Sequence, residues 1–105
     1  MIREEEALLI LGKWHEENAS LHVVARFSDC TTRFDARILA FSPRRISFDL
    51  SGEHDMCEVY IEDFSFDYSE PRDTESAKVG NRIFWCGLKA LRPTGECLMI
   101  MEIAT

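Results

Sequence analysis

Leu21-His22-Val23-Val24-Ala25-Arg26-Phe27, a polar break at Ser28–Thr32, and Arg33-Phe34-Asp35-Ala36-Arg37-Ile38-Leu39-Ala40-Phe41 decide the fold class of this chain. In the first run Leu21, Val23, Ala25 and Phe27 alternate with His22, Val24 and Arg26. In the second, Phe34, Ala36, Ile38 and Ala40 alternate with Arg33, Asp35, Arg37 and Leu39. A period of two sends alternate side chains to opposite faces, so each run reads as a strand with one buried face. Ser42-Pro43 ends the second run, because proline fixes φ and has no N–H for a ladder. Ile46, Phe48 and Leu50 then alternate with Arg45, Ser47 and Asp49. Three strands with short joints make a meander.

Towards the N-terminus the period lengthens to that of a helix over residues 2–18. Ala7, Ile10, Leu11 and Trp14 fall on one face, Leu8 widens the stripe, and Glu4–Glu6 suit the positive end of the helix dipole. Asn18 is the expected C-terminal residue. Towards the C-terminus, Cys57, Val59 and Ile61 carry the apolar phase, which then slips by one to Phe64, Phe66 and Tyr68. That slip is expected to be a β-bulge near Asp63 in a long bent strand. Residues 69–81 are polar throughout and read as a mobile loop. Two strands follow, at about 82–91 and 96–103, joined by Arg92-Pro93-Thr94-Gly95. The last, with Cys97-Leu98-Met99-Ile100-Met101, is apolar on both faces and is expected to be covered on both, with the helix as one cover.

These readings give one domain over residues 1–105. It is mainly β, a small closed or partly open barrel of about six antiparallel strands (20–103), with one N-terminal helix packed on it. The length of 105 residues suits one core and leaves no room for a large catalytic insertion. Its net charge of −7 argues against nucleic acid and against an anionic membrane surface. The opening Met-Ile-Arg-Glu-Glu-Glu is no secretory leader, and no apolar run approaches the ~20 residues that span a bilayer. Cys30, Cys57, Cys86 and Cys97 form no C-x-x-C pair and lie in or beside apolar runs, so they read as free thiols in a reducing cytoplasm.

Catalytic chemistry is not written in the sequence. His15, His22 and His54 accompany no nucleophile motif. Glu53-His54-Asp55-Met56-Cys57-Glu58 contains metal-binding residue types at a spacing that matches no zinc or calcium loop. The dispersed glycines make no phosphate cradle. No catalytic residue, metal or cofactor is therefore expected. The concentrated signal is basic: Arg26, Arg33 and Arg37 on the polar phases of adjacent strands, then Arg44 and Arg45 at a turn. Arginine forks suit phosphate and carboxylate. The competing reading is a solvated face on which Asp35 pairs with Arg33 and Arg37.

The stretch from Phe34 to Leu50 resembles the second and third strands of a PilZ-type six-stranded barrel, and Leu21–Ile103 follows the strand order and spacing of that family. The D/N-x-S-x-x-G turn of that family is represented here by Ser42, with Ala40 at the acidic or amide position and Arg45 at the glycine position. Arg33 and Arg37 reproduce the R-x-x-x-R spacing, inside the second strand rather than before the first. With those departures the resemblance implies the fold and a partner-docking role without cyclic di-GMP binding. An Sm-like RNA-binding barrel is the second resemblance, carried by the helix followed by the meander of Leu21–Ile61. The expected function is a non-catalytic interaction or regulatory module with a protein partner or a second copy of itself. The alternative is a sensor of a small anionic ligand built on Arg33, Arg37, Ser42, Arg44 and Arg45.

Overall fold

A computed structural model describes residues 2–50, 56–69, 78, 79 and 82–103. Helix α1 spans Glu4–Glu16, with the three glutamates in its first turn and Ala7, Leu11 and Trp14 buried. Asn18 ends it at φ 52°. The Ala19 N–H donates to the Trp14 carbonyl and the Asn18 N–H to the His15 carbonyl, at 3.0 and 3.2 Å. This pair of bonds satisfies the last carbonyls and needs a left-handed residue, which asparagine tolerates.

Strands β1 (Leu21–Phe27), β2 (Cys30–Phe41), β3 (Arg45–Leu50) and β4 (Met56–Tyr60) follow as an antiparallel meander. β2 begins three residues earlier than its alternation suggests. The polar stretch Ser28–Thr32 contains a turn of only Ser28-Asp29, with Ser28 at φ 56°, and Cys30 already pairs with Phe27. β5 (Ser65–Ser69), β6 (Lys78–Val79), β7 (Arg82–Leu91) and β8 (Cys97–Ile103) complete the chain. The sheet runs β4-β3-β2-β1-β8-β7-β5, and the short β6 pairs with β7. Seven strands therefore form the sheet, one more than expected, and its ends β4 and β5 are not paired with each other, as in a partly open barrel.

The extra strand corrects the bulge expected near Asp63. Glu62-Asp63 is a turn, with Asp63 at φ 66°, and it separates β4 at one edge of the sheet from β5 at the other. The slip in phase is real, but a turn produces it. The register shifts instead lie between Ile38 and Ala40 in β2 and between Phe84 and Cys86 in β7. The expected loop 69–81 lies largely outside the described residues. Within it, Ser69 ends β5 and Lys78–Val79 is strand.

The inner face of the curled sheet carries Leu21, Val23, Ala36, Ile46, Phe48, Leu88, Leu98 and Ile100, all nearly inaccessible. Burying one of the larger of these side chains stabilises by about 1.5–3 kcal/mol. The helix lies across one end of the barrel, packed on β2 and β5. It reaches β8 through the Trp14 indole, which donates to Glu102 Oε1 at 2.7 Å, so it covers the end of that strand and not its face. Among the described residues no helix is long and apolar enough to cross a membrane.

Candidate functional site

Arg33 and Arg37 stand exposed on the outer face of β2, while Ala36 and Ile38 point inward. Four residue steps place them about 13 Å apart along the strand. Arg33 lies opposite Val24 and Arg37 opposite Asp49. Asp35 Oδ1 meets His22 Nδ1 at 2.8 Å across the β1–β2 pair. Arg44 and Arg45 belong to the β2–β3 turn, where the Ser42 hydroxyl accepts both of their backbone N–H groups at 3.2 and 3.3 Å. Ser42 is thus a turn-forming residue. Arg45 turns to Glu58 on β4 at 3.4 Å. The arginines are strung along the β2–β3 ribbon.

A hollow among the described residues lies away from the helix, whose contacts are with β2 and β5. A cavity of about 490 Å³ is lined by Ala25 and Phe27 at the end of β1, Thr32 and Phe34 at the start of β2, Cys57 to Tyr60 of β4, and Arg92 and Glu96. None of the arginines singled out in the sequence lines it. Phe34 is held edge-to-face against the buried Phe48, with ring centroids 5.7 Å apart. The lining includes four consecutive residues of β4. Side chains alternate across a strand, so consecutive residues border one space only where the strand presents its backbone edge as well as one face.

Arg92 organises this end. Its Nε donates to the Glu62 carbonyl at 3.1 Å and its second terminal nitrogen to the Tyr60 carbonyl at 3.0 Å. The first terminal nitrogen pairs with Glu96, and the guanidinium lies 4.4 Å over the Phe64 ring. The turn that presents it is closed by the Gly95 N–H on the Arg92 carbonyl and by the Arg92 N–H on the Glu96 carbonyl, both at 2.9 Å. Gly95 sits at φ 97°, a conformation that favours glycine. Arg92 therefore fastens the β7–β8 turn to the link between β4 and β5, across the gap where the sheet fails to close. The sequence reading places Arg92 only in a turn. The signal it contained was an opposite charge, Glu96, four residues on, across Pro93-Thr94-Gly95.

Cys57 brings a thiol to the cavity wall, and burial pushes its pKa up. A raised pKa keeps the group as thiol, which is a poor nucleophile and a poor metal ligand. Among the described residues no group of three metal-binding side chains converges. Glu53, His54 and Asp55 lie outside those residues. Compared with protein-family models, curated proteins and solved structures, the chain matches none.

Proposed function

We propose that this chain is a non-catalytic interaction module, PilZ-like in outline, that takes a segment of a protein partner into the open end of its barrel. The observation that supports this best is the cavity of about 490 Å³ with its aromatic and aliphatic walls. That volume falls in the ~300–1,000 Å³ range typical of binding pockets. Its walls offer burial without poised chemistry, because the thiol is held protonated and Arg92 spends its donors on two carbonyls and Glu96. One aliphatic side chain entering such a site gains about 1.5–3 kcal/mol. Two or three anchors then offset the cost of association. The four cysteines are all free, which supports a place in the reducing cytoplasm.

Selection of a displayed random twelve-residue peptide library on the chain, with counter-selection on Val59→Arg, tests this reading. Val59 is buried and lines the cavity, so an arginine there fills it. Peptides that bind the chain and lose at least tenfold affinity for Val59→Arg are expected. Peptides that bind both equally, or no enrichment at all, would contradict it.

A further inference from the structure

The two edges of the sheet are treated differently. The β5 edge is covered by the chain itself, because the Ile2 N–H donates to the Phe66 carbonyl at 2.9 Å and helix α1 follows directly. Among the described residues, nothing pairs with the outer edge of β4. Its orientation follows from the hydrogen bonds beside it. The Ile61 N–H donates to the Arg44 carbonyl at 2.8 Å, one step beyond the Tyr60–Arg45 register pair. Bonded and non-bonded pairs alternate in an antiparallel ladder, so Val59 and Cys57 bond to β3 while Glu58 and Tyr60 aim their backbone groups outward. The Arg45 carbonyl agrees, since it is taken by the Ser42 N–H on the other side. The Tyr60 carbonyl agrees as well, being the one Arg92 reaches. What remains open among the described residues is the N–H and carbonyl of Met56 and Glu58 and the N–H of Tyr60, with Glu58 and Tyr60 at the border of the cavity.

We infer that this edge receives an extended segment of a partner protein as an added β-strand, with apolar side chains alternating with lysine or arginine. The inference rests on the interaction-module reading and names its occupant. Odd-numbered β4 residues face inward, so the inward side chains of the new strand enter the cavity beside Phe27, Phe34 and Val59. Its outward side chains come to lie alongside Met56, Glu58 and Tyr60. Charge selects basic residues there. Along the edge, by sequence and register, five carboxylates (Asp49, Glu58, Glu62, Asp63 and Glu96) stand against three guanidiniums, Arg44, Arg45 and Arg92, and the last two are already paired with Glu58 and Glu96. A second copy of this chain is disfavoured by the same charges. Two-fold pairing of β4 about its centre opposes Glu58 to itself, and like charges directly opposite destabilise a strand pair. Arg92 marks where the added ladder stops, by occupying the Tyr60 carbonyl.

Amide hydrogen exchange with an alternating lysine–valine nonapeptide tests the inference. The expected result is at least tenfold slower exchange at the Glu58 and Tyr60 N–H groups on saturation with the peptide. A glutamate–valine nonapeptide, and a lysine–valine nonapeptide N-methylated at every second amide, are expected to give no protection. Tyr60→Pro removes only an outward donor, which an edge strand tolerates, and is expected to weaken peptide binding at least tenfold in a folded chain. Binding that shifts Phe34 and Val59 signals without protecting the two amides would overturn strand addition and leave the cavity reading standing. Absence of any binding would overturn both. Protection of Glu58 and Tyr60 by self-association without peptide, seen as a dimer in sedimentation, would overturn the choice of a basic partner.

Discussion

The two ends of the barrel are built from unlike material. At the helix end, Ala7, Leu11 and Trp14 are sealed from solvent. The indole of Trp14 donates to Glu102, whose carboxylate also takes the Cys86 thiol at 3.9 Å. At the other end Phe27, Phe34 and Cys57 are only half buried, and a cavity stands where packing would be. Protein interiors ordinarily fill to crystal-like density. A hollow of this size at one end, with buried helix side chains at the other, fits the proposed docking role of the hollow and a structural role for the helix.

Substitutions should separate the ends by what they cost. The largest effect is expected from Trp14→Ala, which removes a fully buried aromatic side chain and its hydrogen bond. A loss of about 3–5 kcal/mol in urea unfolding is predicted, and a loss under 1 kcal/mol would show that the helix is not the plug. Arg92→Met comes next. It frees the Tyr60 and Glu62 carbonyls and the Glu96 carboxylate, which are partly solvated, so about 2–3 kcal/mol is expected. Arg92→Lys should recover less than half of that, because an ammonium cannot reproduce the planar fork. Full recovery by lysine would mean that charge alone holds the seam.

Phe34→Ala lies at the open end and sharpens the contrast. Its ring is half buried, so about 1–2 kcal/mol of stability is expected to be lost, against a tenfold or larger loss of peptide affinity. The smallest effect concerns two thiols, the buried Cys86 and the half-buried Cys57. Burial raises the Cys86 pKa above 9.0, with a hydrogen bond from Tyr68 opposing and the charge of Glu102 adding. The unfolded chain therefore releases that proton first as pH rises. Stability from this source is constant below about pH 9 and declines above it. Cys86→Ala should flatten that decline more than Cys57→Ala, whose thiol lies at the open end. Equal flattening would contradict the asymmetry.

Much of the fold was legible because local chemistry agreed with it. The helix face and strands β1 and β3 followed from periodicity, and the inward set Leu21, Val23 and Ala25 is the buried one. Asn18 was legible by residue type, though the helix runs over Glu4–Glu16, shorter at both ends than the 2–18 expected. Two features were not legible. The slip from Ile61 to Phe64 looks alike whether a bulge or a turn causes it, and only the left-handed Asp63, with β4 and β5 at opposite edges, decides between them. The open end was hidden because Arg92 acts on Tyr60 and Glu62, 32 and 30 residues away. Arginines clustered in the sequence carry the more conspicuous signal. Arg33, Arg37, Arg44 and Arg45 are exposed along a ribbon, whereas the arginine at the cavity stands alone in its stretch of chain.

The division between the ends is tested most directly by a chemical-shift map of the chain titrated with the lysine–valine nonapeptide. The account predicts perturbations gathered on Phe27, Phe34, Cys57 to Tyr60 and Glu96, with Ala7, Leu11 and Trp14 unmoved. Perturbations centred on the helix, or spread along Arg33, Arg37 and Arg44 with the cavity signals unchanged, would contradict it.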